Sequence, residues 1–356
     1  MPISTINTAS ISGLGYGFKN RIINGDMRID QRNAGALVTA NNVYTVDRWA
    51  EVNSAASKYT AQQSSVAPPG FTNSLLLTST SAYTVTSGDY FFVAQYVEGL
   101  NFSDFAWGTA NARAATLSFW VRSSLTGTFT VALRSGADDA AYPATYTINA
   151  ANTWEYKTVS LSGPTSGTFS TGTARSVGVW FSLGAGSSFN GTANTWAGGN
   201  ALTAAGAVSV VGTNGATFYI TGVQLEKGVV ATDFDYRPYG TELALCQRYC
   251  FVFAPGILST AYMNGTCWQP NLFYGVFQYP VPMRATPTGT ITNPTGLNVL
   301  SAGVAYANTA ATIGQINNFC SEIIVTTSGT MTTGYGAWLR AASSGTPAGF
   351  QFSAEL

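Results

Sequence analysis

Residues 115–124 read ATLSFWVRSS, and the alternation within them decides the fold. Leu117, Phe119 and Val121 fall on one side of an extended chain, and Ser118, Trp120 and Arg122 on the other, because successive side chains of a strand point to opposite faces. Such a strand keeps one face in a core and leaves the other at least partly wet. Four more stretches read as strands: GTFTVALRSG (127–136), NTWEYKTVSLSG (152–163), RSVGVWFSLG (175–184) and ATFYITGVQLEKG (216–228). Turn-forming runs such as SSLTGT and SGPTSGT separate them at about ten-residue intervals, the rhythm of a sandwich or jelly roll. No strand-helix-strand alternation is present. Phe119–Trp120 and Trp180–Phe181 are neighbouring rings, so one ring of each pair faces away from the core, and sheet-packing roles are expected for all four.

Composition agrees with short strands and tight turns. The chain has 356 residues, 46% hydrophobic and 13% aromatic, and is rich in Gly, Ser, Thr, Ala and Asn. That length predicts two domains. Sixteen Lys and Arg balance sixteen Asp and Glu without a run of either sign, so no nucleic-acid partner is expected. The sequence has no apolar stretch long enough to span a bilayer, and the start MPISTINTASISGLGYGF lacks the features of a signal peptide, which predicts a chain made in the cytoplasm without membrane insertion. Cys246, Cys250, Cys267 and Cys320 form no C-x-x-C pair and read as reduced thiols.

The chain contains no histidine, which removes Ser-His-Asp and Cys-His nucleophiles, the HExxH zinc site and the non-haem iron triad. Carboxylate chemistry on a glycosidic bond survives. Its candidates are the neighbours Asp138 and Asp139, with Glu155, and the pair Asp233 and Asp235. Closely spaced acids of this kind are mostly turn or strand-edge residues, so no catalytic residue is expected.

Along the chain, residues 1–18 read as an arm that orders on a partner, and 19–238 as the jelly roll. GLNFSDFAWGTANARA (99–114) interrupts it as one irregular turn. In YRPYGTELALCQRYC (236–250), Leu243, Cys246, Gln247 and Cys250 fall at helical spacing behind Thr241 and Glu242, predicting a linker helix over 239–250. Residues 251–356 hold only Arg284, Glu322, Arg340 and Glu355 as charges, yet are rich in aromatics, predicting a second, smaller β-sandwich covered by assembly. PVPMRATPTGT (280–290) reads as an extended edge because of its prolines.

INGDMRIDQRNAG with VDRW (46–49), LSFWVRSSLTGTF, TGVQLEKGVVATDFDYRPYGTELALCQRYC, PVPMRATPT and the closing FSAEL together resemble bacteriophage tail or head fibre proteins. NGDM, SFWVRS, NTWEYKTVSL and FYITGVQLE are also similar to jelly-roll carbohydrate-binding modules, although Met27 stands where those have Phe. The resemblance implies an all-β, homotrimeric virion subunit that attaches through its N-terminal arm to a tail or head protein and recognises a bacterial surface glycan or protein. The alternatives are a head-decorating fibre with weak adhesion, or a tailspike that cleaves glycan with carboxylates. No cofactor is expected; such jelly rolls often hold a structural Ca²⁺, for which this sequence offers no dense ligand loop.

Rings and amides are what glycan recognition needs, and four candidates carry it. Trp196, in the loop SSFNGTANTWAGGNAL, reads either as an exposed platform or as a cap on the sandwich. Tyr142 in DDAAYPATY reads as a sugar contact or a turn residue against Pro143. Tyr262 and Trp268 in AYMNGTCWQPNLFYG, with Asn264 and Tyr274, read as a distal tip or as trimer core. NRIINGDMRIDQRNA (20–34) is expected to be the first jelly-roll strand, with Arg28, Asp30 and Arg32 on one face pairing with each other and with Asp47.

Overall fold

The computed structural model describes residues 18–356, so the arm expected over residues 1–18 lies, apart from Phe18, outside the described residues. The described chain forms two compact units, one of residues 18–28 and 35–237 and the other of residues 29–34 and 238–356.

The first unit is a jelly-roll sandwich of two antiparallel sheets. One sheet has the order β1 (Val38–Thr39), β3 (Tyr59–Ser64), β4 (Ser74–Ser79), β11 (Thr217–Lys227), β6 (Ala115–Ser123) and β9 (Glu155–Leu161). The other has the order β2 (Trp49–Asn53), β5 (Tyr90–Glu98), β10 (Arg175–Ala185), β7 (Gly127–Ser135) and β8 (Ala141–Ile148). Strand alternation fills the space between them: Trp49, Phe91, Phe119, Phe129, Phe181 and Phe218 are each 0% exposed. Phe119 and Phe181 meet edge to face at 5.0 Å, so the inner faces interlock across the sandwich. GLNFSDF forms two 3₁₀ turns, Gly99–Asn101 and Ser103–Phe105, where one was expected.

NRIINGDMRIDQRNA is not a strand. Asn24 and Met27 take φ of 56° and 58°, a turn conformation that breaks any pleat. A Cβ on Gly25 would stand 2.2 Å from the Val223 oxygen, so only glycine lets this turn close onto β11. Asn20 completes the clamp by donating to the Val223 oxygen and accepting from the Leu225 N–H. The charges also divide differently from the expected ladder. Asp26 pairs with Arg28, whose Nη2 donates to the Arg237 oxygen, whereas Asp30 accepts from Asn33 and Arg32 pairs with Glu355 at 2.9 Å. Burial outweighs Arg28 and holds the Asp26 carboxyl above its ordinary range.

The second unit includes the helix α1, Tyr239–Gln247, which is shorter than expected because Cys250 already begins a strand. Glu242 and Cys246, one turn apart, are its buried residues, and no side chain caps its start. A three-stranded sheet has the order β12 (Cys250–Phe253), β20 (Gly349–Ser353) and β15 (Thr288–Thr292), with β15 on the edge as the preceding prolines predict. The remaining strands do not form the expected sandwich. β13 (Ala261–Gln269), β14 (Leu272–Gln278), β18 (Cys320–Thr327), β17 (Val304–Ile316), β16 (Leu297–Ser301) and β19 (Gly336–Ala341) close in that order into a barrel. Closure pairs every strand on both sides, and Phe273, Leu297, Val299, Ile323, Val325 and Leu339 fill the interior at 0% exposure.

Candidate functional site

The outer face of the six-stranded sheet carries the residues that alternation sends away from the core. On β6 these are Ser118, Trp120 and Arg122, and the ladder sets Trp120 opposite Tyr156 of β9 and Thr221 of β11. A bulge in β11 between Thr221 and Gln224 contains Gly222 at φ 60°. A Cβ there would meet the Phe71 ring at 2.6 Å and Trp120 Cδ1 at 3.2 Å, so the glycine lets both rings approach the sheet.

The segment after β11 folds back to make a wall. Glu226 accepts from Thr232 N–H and from its hydroxyl, at 2.9 and 2.7 Å. The Gln224 side chain accepts from Asp235 N–H and donates to Glu226. Two buried polar residues of β11 thereby position Phe234 and Tyr236. The Tyr236 hydroxyl donates to the Gly70 oxygen at 2.9 Å, and Phe71, Phe234 and Tyr236 form a triangle with centroids 4.9 to 5.5 Å apart. Burial, then the Asp26 charge, raises the Tyr236 phenol, which therefore remains a donor at neutral pH.

Between this triangle and the Trp120–Tyr156 pair, 5.5 Å apart, lies a cleft of about 810 Å³ lined also by Ser118, Thr232 and Asp233. It offers rings for the apolar faces of a ligand and hydroxyl or carboxylate groups for its edges. A second hollow of about 700 Å³, beside Asp138, Asn190 and Gly199, is lined by no ring.

The four sequence candidates are placed elsewhere. Tyr142 is 8% exposed within β8, and Trp196 folds back against it at 5.4 Å and against Trp107 at 5.3 Å. The Trp196 indole donates to the Ser162 oxygen, so the half-buried ring packs onto the sandwich and the two residues form one cluster. Tyr262 is half-buried, with its hydroxyl donating to the Ala348 oxygen at 2.6 Å and its ring against Phe253 and Phe350. Trp268 is 64% exposed and lies 6.0 Å from Tyr274 on the barrel. Sequence reasoning missed Phe71, Tyr156, Phe234 and Tyr236 and assigned Trp120 to packing. The outward side of Trp120 was present in ATLSFWVRSS; its neighbours come from register and from the folded-back wall.

Of the carboxylates considered for hydrolysis, Asp138, Asp139 and Glu155 are tied down, whereas Asp233 lines the cleft. Asp138 pairs with Arg175 at 2.6 Å and Arg134 at 3.2 Å. The Ser135 hydroxyl and then Thr168 hold the Asp139 carboxyl down at about 2. Burial would raise Glu155, yet Lys157 and the Ala150 and Asn149 donors bring it to about 2. Among the described residues, no three acidic or cysteine side chains converge as metal donors.

No family model matches the sequence, and no curated protein matches it. Solved structures are similar to part of the chain. The enzymatically active domain of tailspike protein 4 of bacteriophage CBA120 is similar over 59% of this chain and 21% of its own, at 14% identity and a TM-score of 0.30. The carbohydrate-binding module CBM4 is similar over 58% of this chain and 98% of its own, at 15% identity and a TM-score of 0.30. A family 11 module from Clostridium thermocellum, solved with a β-1,3-1,4-mixed-linked tetrasaccharide, is similar over 55% of this chain and 98% of its own, at 12% identity and a TM-score of 0.27. This chain thus spans about a fifth of the tailspike chain it matches.

Proposed function

We propose that the chain is a glycan-binding subunit of a phage fibre, and that its ligand lies in the cleft between Trp120–Tyr156 and the Phe71–Phe234–Tyr236 triangle. The observation that carries this reading is five rings around one solvent-open cleft with hydroxyl groups at their edges. Stacking on sugar faces and hydrogen bonding to sugar hydroxyls require no histidine and little charge, which suits a chain with no histidine and 9% charged residues. Binding without chemistry is supported by Asp139 and Glu155, whose carboxyls are held at about 2, because a glycosidase acid must stay protonated near neutral pH. Assembly into a virion as a homotrimer, with attachment through residues 1–18, rests on the fibre-like motifs. Its support within the second unit is a nearly uncharged chain with Trp268 64% and Trp338 54% exposed on the barrel.

The test is retention of the full chain on immobilised bacterial surface polysaccharide, with and without Tyr156→Ala. Loss of one stacking platform is expected to weaken retention about tenfold, equivalent to about 1.4 kcal/mol, without release of new reducing ends. Unchanged retention would displace the site from this cleft, and new reducing ends would make the protein a depolymerase.

A further inference from the structure

We propose that Arg122, one step along β6 from Trp120 and just outside the cleft's lining, is a carboxylate-binding subsite, so that the preferred glycan is acidic. This rests on the cleft being the glycan site. Arg122 follows Trp120 by two residues on the same outward face of β6, a step of about 7 Å along the strand. A ring and a cation at that separation can meet a sugar face and an acidic substituent of the same oligosaccharide.

Three observations make Arg122 a free binding group. Its guanidinium carbon sits 5.1 Å from the Tyr219 ring centroid, and Tyr219 is braced by Trp154 at 6.0 Å, so the cation rests on one braced ring. Its Nε is buried from solvent without a hydrogen-bond partner, and among the described residues no acid forms an ion pair with it. By contrast Arg21, Arg28, Arg32, Arg134 and Arg175 each meet a carboxylate. The buried Nε is out of a ligand's reach, but the outer Nη1 and Nη2 groups present parallel N–H bonds that match the two oxygens of a carboxylate, so an acidic sugar can pair with that outer edge. The cleft's own acid, Asp233, forms no ion pair with it. The Asp233 backbone oxygen accepts from Gln224, which stands opposite Ser118, whereas Arg122 lies on the other side of Trp120.

The same W-x-R spacing recurs at Trp338 and Arg340 of the barrel, where the Arg340 Nε likewise has no partner. Arg340 therefore serves as the comparison that separates a specific subsite from general attraction to any unpaired arginine.

The experiment is binding of the full chain to an array in which hexuronate and sialate glycans each stand beside their carboxyl-reduced, neutral counterparts. The wild type is expected to favour acidic members at least tenfold. Arg122→Gln is expected to bring that ratio near one, Arg122→Lys to keep part of it, and Arg340→Gln to leave it unchanged, all with wild-type melting temperatures. A wild type that binds neutral and acidic members equally overturns the subsite but leaves the cleft standing. So does a preference that survives Arg122→Gln or disappears with Arg340→Gln. Binding to no glycan on the array overturns both.

Discussion

Glu51 shows what a single side chain costs when the fold buries it. It stands on β2 at 1% exposure, opposite Val93 in the ladder, with one carboxylate oxygen accepting from Asn41 N–H and the other without a partner. Burial drives its carboxyl up to about 8, opposed only by that one hydrogen bond. The folded state therefore holds a proton that the unfolded chain releases near pH 4.5, so this stabilisation is complete at low pH and is lost as pH rises toward 8. Wild-type stability is expected to fall by on the order of 3 kcal/mol between pH 5 and 8, whereas Glu51→Gln is expected to fall little; denaturant melts at the two pH values measure both. Residue identity also explains why the charged opening segment resisted reading. Arg28 and Arg32 look equivalent in sequence, yet one meets Asp26 two residues away and the other meets Glu355 near the end of the chain.

At the scale of elements, β11 does most to build the site, and it does so through a bulge. TGVQLE reads as a regular strand, but Gly222 at φ 60° shifts its register and opens room for Phe71 and Trp120. Gly222→Ala is expected to cost about 1 kcal/mol from the left-handed backbone and to push the Phe71 ring out of the cleft. Weakened glycan retention together with a small drop in melting temperature would show both effects; unchanged retention would mean that Phe71 is no part of the binding surface. The strands themselves were largely legible. Alternation in 115–124, 127–136 and 175–184 is matched by β6, β7 and β10 within a residue or so at each end. NRIINGDMRIDQRNA misled because its polar and apolar residues alternate in part, while Asn24 and Met27 adopt turn geometry that alternation does not encode.

At the scale of the whole molecule, residues 251–356 carry four charges and a barrel whose outside displays Trp268, Trp338 and Val276, the last 58% exposed. Sedimentation of the full chain at micromolar concentration is expected to give a trimer, and a monomer would remove the covering role proposed for assembly. The sequence by itself determined the all-β class and the absence of histidine chemistry, because strand periodicity, turn residues and composition are local properties. Its outward Trp120 was also determined, since the parity of a strand assigns each residue a face. Only tertiary structure decided that Tyr156 stands opposite Trp120, that residues 229–236 fold back to place Phe234 and Tyr236, and that Trp196 and Tyr142 pack against each other. Those outcomes depend on register and on contacts between residues far apart in the chain. A ring's exposure is set by whatever distant segment comes to lie on it, and no local pattern records that.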